Sequence, residues 1–231
     1  MRGILIDIEG LDGSGKETQA QLLYNYINDK IPEKVVYASF PNYESNSSAL
    51  VKMYLNGEFG SDPFNVNAYA ASSFFAVDRF SSFKKEWQKD YENGKWIIAN
   101  RYTSSNFLYQ MPKVEKSRWD SYLEWIHDYE YDKLGLPRPD EVIYLDVPIE
   151  VSQELMNKRY KGDLSKKDLH EANLDFLRMC QKAAEYTSVR CGWNVIKCVE
   201  NGQLKPMEEI HQEIVLIIKN KIQKLLKFVE S

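Results

Sequence analysis

Within residues 2–9, isoleucines at positions 4, 6 and 8 alternate with Leu5 and Asp7. That is the pattern of a strand buried on both faces. The period then changes. Ala20, Leu22, Leu23, Tyr26 and Ile27 recur at helical spacing and predict a helix over 17–30. The two periods keep alternating along the chain. Further strands are expected at 34–40, 95–99, 141–147 and 193–197. Helices are expected at 66–93, 119–133, 149–160, 168–189 and 206–229. Gly94 closes the first of these, and Gly135 with Pro137 and Pro139 follows the second. The last places Ile210, Ile214, Ile217, Ile218, Leu225 and Val229 on one face. Its basic residues Lys219, Lys221, Lys224 and Lys227 share the polar side with Glu208, Glu209 and Glu213. A packed closing helix is therefore expected, rather than one lying on a membrane.

Strands and helices in this order imply an α/β fold. About five parallel strands would be covered by helices on both faces, three layers in all. Ligands of such sheets gather beyond the carboxyl ends of the strands. No repeat and no linker-like composition divides residues 1–231, which are expected to form one domain. The charged, glycine-containing stretch 158–168 is its expected mobile segment, or lid.

Composition narrows the classes. A chain of 231 residues can bury a large core, and 43% hydrophobic with 28% charged residues is the balance of a soluble globular protein. No apolar run approaches the roughly 18–20 residues that span a bilayer. The opening strand leaves no place for a cleavable leader, and Cys180, Cys191 and Cys198 lack metal-like spacing. A reducing cytoplasmic setting is expected. The net charge of -4 argues against binding a nucleic-acid backbone. Any anion must be held by a local cluster, which favours a small phosphorylated ligand.

One such cluster stands between the first strand and the first helix: Gly10-Leu11-Asp12-Gly13-Ser14-Gly15-Lys16-Glu17-Thr18. Its glycines let the backbone wrap around an anion, so that N–H groups converge on it with the positive end of the helix dipole. Lys16 supplies a mobile charge for the outer phosphates of a nucleotide. The strict pattern G-x-x-x-x-G-K-[ST] is met except at its end. Glu17 replaces the hydroxyl residue, and Thr18 follows one place later.

A second set of residues falls near the expected strand ends. Phe40-Pro41-Asn42-Tyr43 follows strand two. Phe75 and Arg79 are one turn apart in the long helix. Arg101-Tyr102, Ser105-Asn106 and Tyr109 follow strand three. These are the groups a nucleoside monophosphate requires. Phe75 can stack on a base, a contact worth roughly 1–3 kcal/mol. Arg79 can donate to base carbonyls, Asn106 can pair with an imide edge, and Arg101 offers a forked donor to a phosphate.

Taken together, these motifs resemble the thymidylate kinases, which belong to the phosphate-binding-loop nucleoside triphosphatase fold. The resemblance includes Arg159-x-Lys161-Gly162 and a helix start at Asp168-x-x-Glu171, and covers most of the chain in the family's order. It implies that Gly10, Asp12, Gly13, Ser14, Gly15, Lys16, Glu17, Thr18 and Arg159 bind ATP. Phe40, Tyr43, Phe75, Arg79, Arg101, Ser105, Asn106 and Tyr109 would bind the monophosphate. Tyr43 and Arg101 would hold its phosphate, and Tyr109 would crowd the sugar's 2′ position. Asp12, Lys16, Arg101 and Arg159 would be catalytic, with Asp12 and Glu171 near Mg²⁺. A homodimer is also implied.

The chain departs from the family's pattern at Asn100, where many members carry Asp before the Arg-Tyr pair, and at Glu17. No arginine stands in the variable loop positions, so the catalytic arginine is expected from the lid. The implied reaction is ATP + dTMP to ADP + dTDP. A phosphate oxygen is already ionised at neutral pH, so it needs no strong base. Two other readings are a deoxynucleoside kinase, which wants a carboxylate base for a sugar hydroxyl, and a nucleotide-binding protein without catalysis. No acid stands beside Arg101 along the strand-three motif.

Overall fold

The computed structural model describes residues 2–163 and 167–229, with residues 224–229 described by their backbone. Five strands make one parallel sheet: β1 (Leu5–Gly10), β2 (Val35–Ser39), β3 (Trp96–Asn100), β4 (Glu141–Asp146) and β5 (Asn194–Lys197). Their order is β2-β3-β1-β4-β5. β1 is central, and all six of its residues are buried. Ile6 and Ile8 join Ile98, Ile143 and Leu145 in packing against α1 (Lys16–Lys30) and α9 (Met207–Val229). Leu5, Ile97 and Ala99 pack on the other side against Phe83, Trp87 and Tyr91. The three expected layers follow.

The expected helix over 66–93 begins at α3 (Ala68–Ser82), where the side chain of Asn67 caps the amide of Ala70. It passes through a π-helical stretch, Phe83–Trp87, into α4 (Gln88–Glu92). The one over 119–133 is α6 (Trp119–Ile126), continued as a π-helix over His127–Lys133. The stretch over 149–160 is α7 (Ile149–Arg159).

One expectation is corrected, and three further elements stand in segments to which none was assigned. The helix over 168–189 is α8 (Leu174–Cys191) and starts later. Asn173 is extended and caps the amide of Phe176, while Asp168 accepts from the amides of His170 and Glu171 in a separate turn. The segments after strands two and three also carry helices of their own, α2 (Ala49–Leu55) and α5 (Ser104–Tyr109). A small antiparallel hairpin, β6 (Val199–Glu200) with β7 (Gln203–Leu204), precedes α9. Its turn is Asn201-Gly202, both with positive φ, the pairing a two-residue hairpin prefers. Of the expected lid, residues 164–166 lie outside the described residues, as do the side chains of Leu225, Val229, Lys224 and Lys227.

Candidate functional site

The carboxyl ends of β1, β2 and β3 open into one cavity of about 800 Å³. The phosphate-loop candidate forms one end. Gly13 has φ 81°, and a Cβ there would lie 2.5 Å from the carbonyl oxygen of Ser152 in α7. A Cβ at Gly10 would meet the Ser14 hydroxyl at 2.4 Å. Both positions therefore exclude a side chain, and α1 starts directly beyond them. Gly10 lies outside the cavity wall, whereas residues 12–18 line it. The buried Ser14 hydroxyl finds no hydrogen-bond partner within the protein. An anion seated on the helix N-terminus would provide one.

The same wall carries Phe40, Tyr43, Phe75, Arg79, Arg101, Ser105, Asn106 and Tyr109, with Arg159 and Glu171. Lys16 and Phe75 therefore share a cleft, although 59 positions separate them in the chain (75 minus 16). Arg159 closes α7, and its guanidinium lies 5.7 Å from the Tyr160 ring centre. Tyr160 donates to both Glu171 oxygens, at 3.1 and 2.9 Å.

A charged cluster occupies the middle. Asp12 accepts from Arg101 Nη2, from Lys16 Nζ at 3.4 Å and from the Tyr109 hydroxyl at 2.8 Å. Burial would raise the Asp12 carboxyl, but Arg101 and then Lys16 hold it well below the usual range. Burial and the neighbouring Arg101 charge bring Lys16 down to about 8, against the pull of Asp12 and Glu9. Arg101 has φ 65°, a left-handed conformation that costs a non-glycine residue roughly 1–3 kcal/mol. Its Nη1 lies 3.7 Å from Glu9 Oε1.

Glu9 is one of the residues that sequence reasoning missed. Alternation along β1 puts Asp7 and Glu9 on the face opposite Ile6 and Ile8. Glu9 accepts from its neighbour Gly10 N, from Ser104 Oγ at 2.9 Å and from Ser105 Oγ at 2.5 Å. Ser104 also donates to Asp7, whose carboxyl is raised by burial and by the Glu9 charge. The signal was present: two acids at alternating places in an otherwise apolar strand. The view that no acid accompanies Arg101 holds along strand three only, since in space Glu9 and Asp12 both reach it.

Glu130 is the second residue missed. It is fully buried, and takes Arg79 through two bonds: Nε to Oε2 at 2.7 Å and Nη2 to Oε1 at 2.6 Å. Asn106 Nδ2 donates to the same Oε1 at 2.7 Å and to the Ser72 carbonyl at 3.3 Å. Glu130 thus fixes both expected base-reading side chains. Its place in the acid-rich run 128–132 gave no signal that it is buried. Gln110 and His170 also line the cavity and were missed.

Carboxylates lining the cavity that could meet a divalent cation include the expected Asp12 and Glu171, with Glu17 and Asp168 in the same wall. Among the described residues, no cluster of three or more His, Cys, Asp or Glu side chains could hold a metal ion. Magnesium bound with a nucleotide uses one or two carboxylates plus phosphate oxygens and waters, so this donor set is compatible with it. No helix among the described residues is long and apolar enough to cross a membrane.

The thymidylate kinase family model matches residues 8–214. A probable thymidylate kinase of Pyrococcus horikoshii is 29% identical over 227 residues, covering 96% of this chain and 98% of that relative. The thymidylate kinase of Caenorhabditis elegans is 33% identical over 162 residues, covering 66% of this chain and 67% of that relative. A solved thymidylate kinase structure from Candida albicans superposes with a TM-score of 0.71 at 23% identity, covering 96% of this chain and 93% of that one. The family match takes in the phosphate loop, the Phe75–Arg79 turn and the Arg101 segment alike, and with it this chain belongs to the thymidylate kinase family.

Proposed function

We propose that this cleft transfers the γ-phosphoryl group of ATP to dTMP, giving ADP and dTDP. The observation that carries the reading is the single cavity shared by an anion loop and an aromatic–guanidinium clamp. The loop amides and Lys16 hold the ATP phosphates. Phe75 stacks on thymine. With two nitrogens on Glu130, Arg79 keeps Nη1 for a base carbonyl. Asn106 gives its amide protons to the protein and keeps its oxygen for the imide N–H. Arg101 and Tyr43 take the acceptor phosphate, and Phe40 and Ser105 complete its wall. Tyr109 crowds the sugar's 2′ side. The reacting oxygen needs no base, so catalysis is positioning and charge stabilisation by Lys16, Arg101 and Arg159.

Mg²⁺ would arrive with ATP and offset phosphate charge when bound. Glu171 and Asp12 face that space. Asp12 Oδ1 already accepts from Lys16 and Arg101, whereas Oδ2 accepts only from Tyr109 and would keep a lone pair for the ion or its water. Residues 1–231 would work as one unit, with 158–168 as lid, in a cytoplasmic homodimer. These last points rest on the family resemblance.

The deciding assay offers ATP and Mg²⁺ with a panel of nucleoside monophosphates, and thymidine beside them, following each product directly. dTDP should form fastest. Phosphorylation of thymidine with none of dTMP would point to a nucleoside kinase. No product from any acceptor would leave only nucleotide binding.

A second measurement concerns Lys16. Its ammonium is held at about 8 while the cleft lacks a nucleotide. Polyanionic phosphate favours the charged form and raises that value. Binding ATP near pH 8 should therefore take up about half a proton. Calorimetry in two buffers of different ionisation enthalpy reads this uptake, and proton release would refute the assignment.

A further inference from the structure

His170 is 4% exposed and sits in a box of rings. Its imidazole lies 5.3 Å from the Tyr109 ring centre, with only 10° between the planes. Phe176 is at 5.0 Å and the edge of Tyr54 at 5.3 Å. A phenylalanine would satisfy such a box. An imidazole buried there needs a hydrogen-bond partner.

That partner comes from two other elements. The Tyr54 hydroxyl in α2 is 2.7 Å from His170 Nε2. Lys113, just after α5, donates to the same hydroxyl at 2.6 Å and to the Val66 carbonyl at 3.1 Å, and lies 4.7 Å from the Tyr54 ring centre. As the donor in that bond, Lys113 occupies a lone pair of the hydroxyl. The hydroxyl proton is then left for Nε2, because the Pro63 carbonyl at 3.5 Å is a poor acceptor. Among the described residues Lys113 forms no ion pair, and burial lowers it to about 7. Holding a lysine there without a counter-ion is unfavourable, and the hydroxyl it orients is its main polar contact. The edge of Tyr54 also meets Phe75 at 6.3 Å.

We propose that Lys113 and Tyr54 position His170, and through it Tyr109, so that the cleft favours a deoxyribose over a ribose monophosphate. The inference rests on the reading of Tyr109 as the wall of the sugar's 2′ side. With the imidazole fixed parallel to its ring, Tyr109 cannot retreat from an added hydroxyl. When the relay is cut, the imidazole tilts and the wall yields.

The test uses Lys113→Met and Tyr54→Phe in the full chain, with melting curves to verify folding. For each protein, kcat and KM are measured with dTMP and with ribothymidine 5′-monophosphate at saturating ATP. The preference for dTMP in kcat/KM should fall about tenfold in both variants, through KM, with kcat for dTMP changed less than about twofold. An unchanged preference overturns the proposal. So does an equal loss for the two acceptors, which is what a merely structural role gives. Unaltered protein that ignores dTMP, or treats both acceptors alike, overturns the assignment of the cleft itself; that outcome is read without any variant.

Discussion

Replacing Arg159 by alanine is expected to lower kcat by about 10³–10⁵, the range of one well-aimed arginine in phosphoryl transfer. Both nucleotides should still bind, with KM values altered less than about tenfold. The reasoning is positional. Arg159 ends α7, lines the cleft, and forms no ion pair among the described residues. Arg101 and Lys16, by contrast, are engaged by Asp12. In the proposed reaction Arg159 is therefore the guanidinium that would meet charge developing only as the phosphoryl group moves. Such an interaction affects turnover rather than binding. Rapid-quench measurement of a single turnover separates the chemical step from product release. A rate within tenfold of the unaltered protein would remove Arg159 from the chemistry.

The largest structural effect is expected from Glu130→Gln. The substitution keeps the volume and removes the charge that two Arg79 nitrogens and Asn106 share. Breaking one side of a buried ion pair costs about 3–5 kcal/mol, because the remaining charge is left uncompensated. For a chain of this size that corresponds to a fall in Tm of about 10 °C. Function should suffer selectively. Both groups proposed to read the base lose their common anchor, so KM for dTMP should rise much more than KM for ATP. Calorimetric melting and paired kinetics test the two halves separately. An unshifted Tm would mean that Arg79 finds another anion. An equal rise for both nucleotides would mean general loosening rather than loss of base reading.

The sheet was legible because its strands are short, apolar and bounded by glycine or proline. β2, β4 and β5 lie within the stretches expected of them, and β3 runs one residue beyond its own, to Asn100. The phosphate loop was legible because its glycines and lysine are dictated by backbone geometry over a few residues. What escaped depends on contacts between distant parts of the chain. Glu130 stands 51 positions from Arg79, and local acidity looked like a solvated face. Glu9 sat in plain view as a charge in a buried strand, yet its partners Ser104 and Ser105 belong to α5, a short helix to which the sequence pattern assigned no element. Asn201-Gly202 was a readable turn signal that strand-length reasoning passed over. The late start of α8 came from Asn173, whose capping role competes with an apparent helix start at Asp168.

Before any nucleotide arrives, Arg101 already grips Asp12. If Arg101 takes the acceptor phosphate as proposed, Asp12 is a surrogate for that phosphate within the protein itself. An incoming phosphate exchanges one anionic partner for another, instead of claiming a bare guanidinium. Entry is correspondingly less exergonic, and so is the trap that would hold the diphosphate after transfer. On that reading the kinase would give up tight grip on either end of its reaction in favour of quick exchange.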